Sequence, residues 1–317
     1  MTSPYSNLAD DAYWRTGVVD TDKTLWLDLC KPKFPITAEM AIATAGSCFA
    51  QYIGRTLKGQ GMTVLDAEPA PAGLSEDDAK RLSYGIYSAR YGNIYTPRQL
   101  RELLNDAAHD CVHADLFWQK ESRFFDALRP GVEPDGFDSL SAAMDQRRTH
   151  LACVRQLLID TDIFVFTLGL TEAWMDDQAG RVMALAPGVI AGDYDPARYR
   201  FRNFTFDELV EDLDAIYSAL KTINPDIKLL LTVSPVPLTA TASNDHVLAA
   251  TTYSKSALRA AAGEISNTYS AIDYFPSYEL VTTWAQDIPA FEANLRSVTP
   301  KMVARVMSVF SRAHNIT

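Results

Sequence analysis

Short continuous runs of apolar residues recur along the chain, and such runs are typical of strands that are buried on both faces. The clearest run covers residues 162–169, where two phenylalanines alternate with aliphatic residues. Similar runs occur at residues 40–44, 62–65, 228–233 and 272–275. The pattern therefore predicts a set of short buried strands.

The segments between these runs carry a helical period. Phe49, Ile53 and Leu57 are spaced at i, i+4 and i+8, which predicts one apolar face of a helix. Further helical patterns begin near residues 97 and 299 and cover residues 140–158, 206–223 and 254–269. Strands that alternate with helices predict the α/β class, with a parallel sheet covered by helices on both faces.

Three segments lack a sustained period. Residues 1–36 predict an irregular N-terminal arm, and residues 37–317 predict one α/β domain. Within that domain, residues 110–138 and the Gly- and Pro-containing residues 176–203 are expected to be insertions. A chain of 317 residues that is 47% hydrophobic is long enough to bury the core of one elaborated domain.

Composition and charge limit the partners and the compartment. A net charge of −11 without a run of Lys or Arg argues against nucleic acid and anionic lipid as partners. The N-terminus lacks the pattern of a secretory signal, and no apolar run reaches the ~18 residues of a membrane-spanning helix. Four scattered cysteines form no C-x-x-C pair, so we expect a cytoplasmic protein with reduced thiols. No metal or nucleotide motif is present, and we expect no cofactor.

Candidate chemistry is expected beyond the carboxyl ends of the strands. In an open parallel sheet, loops and helix N-termini converge there and form ligand sites. The polar residues that follow the predicted strands are Ser47, Gly92 and Asn93, Thr171 and Glu172, residues 234–246, and residues 277–279.

Ser47 follows the first predicted strand at a turn into a helix. Its hydroxyl would be exposed there, and the N–H groups of the helix start could stabilise an oxyanion if Ser47 attacked a carbonyl carbon. A serine in this position more often caps its helix, and a nucleophilic serine also needs a base. Cys48 is one step further along the helix start, so its side chain is expected to point about 100° away and to pack.

The string GSCFA at residues 46–50 resembles the motif after which the GSCFA family is named. That family is similar to the SGNH/GDSL hydrolase superfamily. Later blocks of this chain also resemble the family, and the blocks together span about residues 40–310. They are YGNIYTP at 91–97, TLGLTEAW at 167–174, TVSPVP at 232–237 and YFPSYE at 274–279.

The resemblance implies a flavodoxin-like, three-layer α/β/α fold in which Ser47 is the nucleophile. It also implies an oxyanion hole that uses the backbone N–H groups of Ser47 and Gly92. A third donor would come from the block around Gly169. SGNH proteins usually place an asparagine there; here Thr171 could donate its hydroxyl, or Asn93 its side-chain amide.

The expected base is missing from its usual place. SGNH enzymes have a D-x-x-H block before the last helix, but this chain has Asn294 and Ser297 at those positions, and neither acts as a base near neutral pH. His246, in the loop after the fourth strand, is the best substitute, although it could equally be an ordinary loop or capping histidine. Glu172 or Glu279 would orient its imidazole.

Two other candidates stay open. D-x-x-H strings occur at residues 106–109 and 110–113, but their place in an early helix favours a solvated face, so His109 and His113 are second choices for the base. Arg129 lies in a block that also resembles the family. It could hold an anionic or sugar substrate, or it could pair with a carboxylate of its own insertion.

The sequence therefore predicts a serine esterase or O-acyltransferase that acts on an acylated carbohydrate or a similar small ester. The choice of a carbohydrate substrate rests on analogy with the superfamily alone. The alternative is a non-catalytic module that binds a glycan or peptide in the same pocket and has lost turnover together with the D-x-x-H block.

Overall fold

The computed structural model describes residues 3–26 and 28–316. Within these residues the strands are β1 (Ile42–Gly46), β2 (Phe117–Lys120), β3 (Arg123–Asp126), β4 (Ile163–Leu168), β5 (Glu172–Asp176), β6 (Arg181–Met183), β7 (Tyr199–Asn203), β8 (Lys228–Val233) and β9 (Ile272–Tyr274). The α-helices are α1 (Ala50–Gly59), α2 (Glu76–Arg81), α3 (Pro97–His109), α4 (Leu140–Asp160), α5 (Phe206–Ile223), α6 (Val247–Thr268), α7 (Ser277–Thr282) and α8 (Pro300–Ala313).

The central sheet is parallel and has the strand order β1, β4, β8, β9. Val64 adds a single parallel bridge to Ile42 on the free side of β1. The predicted strand at residues 62–65 is therefore reduced to one bridge, which lies where a second strand of a flavodoxin-like order would pair. The α/β class with a parallel central sheet is confirmed.

Two hydrophobic cores cover the two faces of this sheet. One contains residues of α3, α4, α5 and α6, such as Leu104 and Leu258. The other contains residues of α1 and α8, such as Leu57 and Phe310, together with Trp26 from the N-terminal arm. Among its described residues, the arm forms a short 3-10 turn and a π-helical turn. The buried residues Trp26, Phe34 and Ile36 tie it to the second core.

Helix boundaries follow local capping signals. α5 begins directly after Thr205, whose hydroxyl forms a capping box with Glu208, and its bounds match the predicted 206–223. α6 begins at Val247, earlier than the predicted residue 254, because His246 caps it. No helix of the described ranges combines the length and apolar character that crossing a bilayer requires.

The two predicted insertions contain small antiparallel units. β2 and β3 form a hairpin within residues 110–138. β6 and β7 both pair with β5 and form a separate three-stranded sheet directly after β4. Trp118 of the hairpin packs in one cluster with Met183 and Tyr199 of that sheet.

Candidate active site

Ser47 lies in the turn between β1 and α1. Ser47 is 6% exposed, and its buried Oγ has no hydrogen-bond partner among the described residues. Its carbonyl accepts the Ala50 N–H at 2.9 Å, so the backbone carbonyl and not the hydroxyl closes the first helical turn. The Ser47 hydroxyl is therefore free of the capping role that a serine in this position usually has.

Gly46 makes this turn possible. Its φ of +136° is a conformation that residues with a side chain rarely adopt, and a Cβ at this position would lie 2.4 Å from the carbonyl oxygen of Thr167. The Gly46 carbonyl also accepts the Ile94 N–H at 2.9 Å, which fixes the loop before α3 beside the turn. Ser47 is thus held between β4 and that loop.

Ser47 lines a cleft of about 630 Å³, here called the Ser47 cleft. Its polar side chains come from five separate segments. One wall consists of residues from the β5–β7 sheet and is mainly apolar. The lining includes Ser47, Cys48, Tyr95, Glu172, Trp174, Phe201, Ser234 and Arg296.

Two of the oxyanion donors that the family resemblance implies have other partners in this structure. The Ser47 N–H already donates to the Thr167 carbonyl at 3.2 Å. The Thr171 hydroxyl donates to Asn203 Oδ1 at 2.6 Å, because Thr171 lies where β5 begins to pair with β7. Thr171 is fully buried and lies outside the cleft lining. Thr171 is therefore a structural residue, and neither group is free to bind an oxyanion.

Amide groups without acceptors occur in the Ser47 turn and in the loop before α3. Within the described residues, the backbone N–H groups of Cys48 and Gly92 have no hydrogen-bond acceptor. Asn93 Oδ1 accepts the Tyr87 hydroxyl at 2.6 Å and lies 3.6 Å from Cys48 Sγ. These contacts fix the Asn93 amide beside the residue that follows Ser47.

Glu172 is the carboxylate of the cleft lining. Its Oε1 accepts the Thr241 hydroxyl at 2.7 Å. Burial raises the pKa of Glu172 above its usual range, and the hydrogen bond from Thr241 opposes that shift. Glu172 lies at the site, but its bond to Thr241 does not orient an imidazole.

None of the five histidines lines the Ser47 cleft. His246 is exposed, and its Nδ1 accepts the Leu248 N–H at 3.2 Å as the cap of α6. His109 contacts the Asn105 carbonyl at the end of α3, and His113 contacts Asp106 Oδ1 at 3.1 Å. The assignment of His246 as the base therefore stays a prediction that no contact supports.

Two further predicted site residues have structural partners away from the cleft. Glu279 pairs with Arg259 and accepts the Tyr274 hydroxyl at 2.9 Å, so it does not orient His246. Arg129 is 2% exposed and pairs with Asp126 at 2.8 Å. Its guanidinium also donates to the Arg90 carbonyl at 2.9 Å, so no contact supports the prediction that Arg129 holds the substrate.

The segment that replaces the D-x-x-H block forms an exposed turn. Asn294 Nδ2 donates to Ser297 Oγ at 3.0 Å, and Asn294 Oδ1 accepts two backbone N–H groups of the same turn. The turn places Arg296 in the cleft lining, where its Nε donates to the Pro237 carbonyl at 3.2 Å. Arg296 has no carboxylate partner within the described chain, so it gives the cleft a positive charge.

Sequence reasoning also missed Lys255. This lysine is 1% exposed, and its Nζ donates to the Gly169 carbonyl at 2.6 Å. A signal was present, because Lys255 shares a helical face with the apolar residues Leu258 and Ala262. Within the described ranges, no cluster of three or more His, Cys, Asp or Glu side chains is arranged to hold a metal ion.

Comparison with known proteins adds distant structural relatives. A search among curated protein sequences found no match. A family 3 carbohydrate esterase from Clostridium thermocellum is similar at 9% identity and a TM-score of 0.36, over 86% of this chain and 94% of that one. The periplasmic domain of a lipopolysaccharide acetyltransferase from Salmonella ser. Paratyphi A is similar at 11% identity and a TM-score of 0.34, over 87% and 84% of the two chains.

The family assignment rests on the sequence itself. The GSCFA family profile matches residues 41–310, a range that includes the Ser47 turn, the helix that carries Lys255 and the turn that carries Arg296. The chain therefore belongs to the GSCFA family.

Proposed function

We propose that this protein is a serine esterase or O-acyltransferase that carries an acyl group on Ser47, with an acylated carbohydrate or a similar small ester as substrate. The observation that carries the proposal is the Ser47 hydroxyl, which is buried without a partner at the strand-to-helix turn and lines a 630 Å³ cleft. Burying a hydroxyl without a partner costs free energy, and functional sites are where such costs are usually found.

The surroundings of Ser47 suit acyl transfer. A nucleophile at such a turn attacks the ester carbonyl, and donors nearby stabilise the negative oxygen of the tetrahedral intermediate. The backbone N–H groups of Cys48 and Gly92 have no acceptor among the described residues, and the Asn93 amide lies beside Cys48. They are our candidates for the oxyanion hole, and Asn93 takes the role that the sequence left open between it and Thr171.

The wall of the cleft suits a small ester with an apolar face. Trp174 and Phe201 both line the cleft, with ring centroids 5.9 Å apart and planes near perpendicular. A mainly apolar and aromatic wall with few polar groups is typical of sites for small ligands. Arg296 adds one unpaired charge, which would orient a polar or anionic part of the substrate.

The reaction has two halves. Ser47 Oγ bonds to the acyl carbon while its proton moves to a base, and collapse of the intermediate breaks the bond to the alcohol, which leaves with a proton. Water or a second hydroxyl compound then attacks the acyl-serine and releases Ser47. Water as the acceptor gives an esterase, and a sugar hydroxyl gives an O-acyltransferase.

Covalent labelling tests the proposal directly. A fluorophosphonate reagent should label the wild-type protein at Ser47, and mass spectrometry of the digested protein locates the label. Ser47→Ala should lose both the label and hydrolysis of p-nitrophenyl acetate. Ser234→Ala and Cys48→Ala remove other nucleophiles of the same cleft and should still be labelled.

The binding-module alternative predicts a different outcome. A folded wild-type protein that is neither labelled nor acylated, but binds oligosaccharides in calorimetry, would overturn the enzyme assignment. Label on Cys48 or Ser234 instead of Ser47 would overturn the choice of nucleophile.

A further inference from the structure

Lys255 is a buried amine without a counter-ion. It lies in the first half of α6, and within the described chain the Gly169 carbonyl, at 2.6 Å, is its hydrogen-bond partner. No Asp or Glu forms an ion pair with it there. An ammonium group that is buried without a paired anion is costly, so burial favours the neutral amine.

The neighbours of Lys255 reinforce this preference. Burial, and to a smaller extent the positive charge of Arg296, lower the pKa of Lys255 to about 7. A large share of the amine is therefore neutral near pH 7 and has a lone pair. A base is most effective when its pKa lies near the working pH.

Gly169 is the shared neighbour of Lys255 and Ser47. Its carbonyl accepts the Lys255 Nζ, and its α-carbon packs against Ser47 so closely that a Cβ would lie 3.1 Å from Ser47 Cβ. A Cβ at this position would also lie 2.9 Å from the Tyr95 carbonyl oxygen, so a glycine is needed for Ser47 and Tyr95 to pack here. On the other side of Lys255, the Ser254 hydroxyl accepts the Thr171 N–H at 3.0 Å and fixes α6 against the segment after β4.

We infer that Lys255 is the base that removes the proton of Ser47 Oγ, in the place that a histidine occupies in a D-x-x-H block. The inference rests on the proposed function, because it needs a nucleophilic Ser47. Both reacting groups are buried against the same glycine, and Ser47 Oγ has no other partner in the described structure. The Nζ to Oγ hydrogen bond is not formed here, and such bonds often tighten only when the substrate is bound.

The proton balance is simple. The lone pair of the neutral Lys255 Nζ takes the proton of Ser47 Oγ, while Oγ bonds to the acyl carbon and the carbonyl electron pair moves to the oxygen. The ammonium then returns this proton to the departing alkoxide. In the second half, the neutral amine takes the proton of water or of the acceptor hydroxyl and gives it back to Ser47 as the acyl bond breaks.

This role fixes the sign of the pH dependence. The base must be neutral, so acylation should rise with pH through about 7, the pKa of Lys255. Arg296, from the turn before α8, is the charged group that acts on Lys255. The other titratable groups of the cleft lining are Glu172 from β5, Cys48 from the Ser47 turn and Tyr95 from the loop before α3. Burial raises the pKa of Tyr95 to about 12, so Tyr95 stays neutral in this range.

The experiment measures the rate of Ser47 acylation by p-nitrophenyl acetate between about pH 5 and 9 in the full chain. Lys255→Met should lower the rate about 1000-fold, the usual scale of general base catalysis. Added methylamine should restore part of it. Lys221→Met is the matched control, since the Lys221 Nζ also donates to a backbone carbonyl, that of Pro225 at 2.7 Å, but outside the cleft. Circular dichroism checks that each variant is folded.

A second variant keeps the inference testable without removing the amine. Arg296→Gln removes the charge that helps to lower the pKa of Lys255. The pH range in which the acylation rate rises should therefore move to higher pH, whether or not the maximum rate changes. The inference is supported if the rise of the acylation rate moves to higher pH in Arg296→Gln and disappears in Lys255→Met.

Other outcomes overturn it. Acylation that falls as pH rises through 7 would make Lys255 an oxyanion ligand, and loss of the rise of the acylation rate only in Glu172→Gln or His246→Ala would move the base to that residue. Loss of labelling in Ser47→Ala together with full acylation in Lys255→Met would reject the inference and leave the proposed function intact. Labelling that survives Ser47→Ala would instead reject the proposed function.

Discussion

At the end of β3, the carboxylate of Asp126 is 3% exposed and pairs with Arg129 at 2.8 Å and with Arg147 at 3.5 Å. Under the Ser47 cleft, Lys255 is equally buried but has only a backbone carbonyl as its partner, and Ser47 Oγ has none in the described structure. Both regions bury polar groups against the same sheet domain. They differ in whether those groups are paired.

The contrast separates groups that hold the fold from groups that are available for chemistry. A paired carboxylate stays charged, and the pKa of Asp126 stays below its usual value because Arg147 and Arg129 outweigh the burial that would raise it. The unpaired Lys255 instead loses its charge. Buried groups with perturbed pKa values and free hydrogen-bonding capacity are typical of functional sites.

The largest expected effect breaks the paired region. Asp126→Ala leaves Arg129 and Arg147 buried without their carboxylate, and removing one partner of such a cluster costs about 3–5 kcal/mol. Urea unfolding measures this loss. Asp145→Ala is the control, because Asp145 pairs with Arg148 on the surface and such pairs contribute about 0–1 kcal/mol. Equal losses of unfolding free energy in the two variants would show that the buried ion pairs of Asp126 do not hold the fold more strongly than a surface pair.

The next prediction is a variant that is more stable than the wild type. The pKa of Lys255 is about 7 in the folded protein, against an ordinary value of 10.5 for a lysine. Between these pH values the unfolded chain binds more protons than the folded chain. The wild type therefore becomes more stable as pH rises through this range. Lys255→Met removes the cost of burying the amine and loses one hydrogen bond, for a net gain of about 3 kcal/mol at pH 7. The gain should shrink as the pH approaches the ordinary pKa of lysine, and urea unfolding across this range measures it. A destabilised variant at pH 7 would show that Lys255 is a structural residue.

Acid should weaken the paired region through Glu68 and His150, whose Oε2 and Nδ1 atoms lie 2.6 Å apart. Burial lowers the pKa of His150 to about 4, and hydrogen bonds and the charges around Glu68 lower its pKa to about 2 against the effect of burial. Both groups stabilise the fold at neutral pH and lose that contribution as pH falls. His150 alone accounts for about 3 kcal/mol between about pH 6.5 and 4. His150→Gln should flatten urea midpoints measured across this range.

The smallest expected effect concerns His246. His246→Ala removes the Nδ1 cap of α6, and loss of such a cap costs about 0.5–1 kcal/mol. Thermal unfolding measures it, and His246→Asn, which keeps a capping acceptor, should recover most of the loss. A fall in acylation of about 1000-fold in His246→Ala, the scale of general base catalysis, would instead return the base to this histidine.

Local signals explain what could be predicted from the sequence. The capping box of Thr205 and Glu208 and the period of α5 are both local, and the helix has the bounds that they predict. The continuous apolar runs predict β4 and β8 for the same reason. β6 is held by distant segments, because Met183 pairs opposite Trp174 of β5 and the Val182 N–H donates to Glu102 of α3 at 3.0 Å. Such contacts leave little trace in the sequence of a three-residue strand.

The site was harder to predict because it depends on neighbours from distant segments. The position of Ser47 follows from one strand and one turn. The burial of Lys255 depends on the packing of α6 beside Gly169. Arg296 reaches the cleft through the turn at residues 294–297. From the sequence, that turn could be recognised only as the place where the D-x-x-H block is missing. The family resemblance directs attention to a histidine, whereas the group beside the cleft is an amine.

The β5–β7 sheet pairs with itself and not with the central sheet, yet it supplies Trp174 and Phe201 to the cleft. The reacting groups that we propose belong to the turn after β1 and to α6. In this proposal, the part that would meet the substrate body and the part that would perform the reaction are separate modules of the chain. Exchanging residues 172–203 between relatives should transfer the preference for one ester over another while the pH profile stays with the recipient.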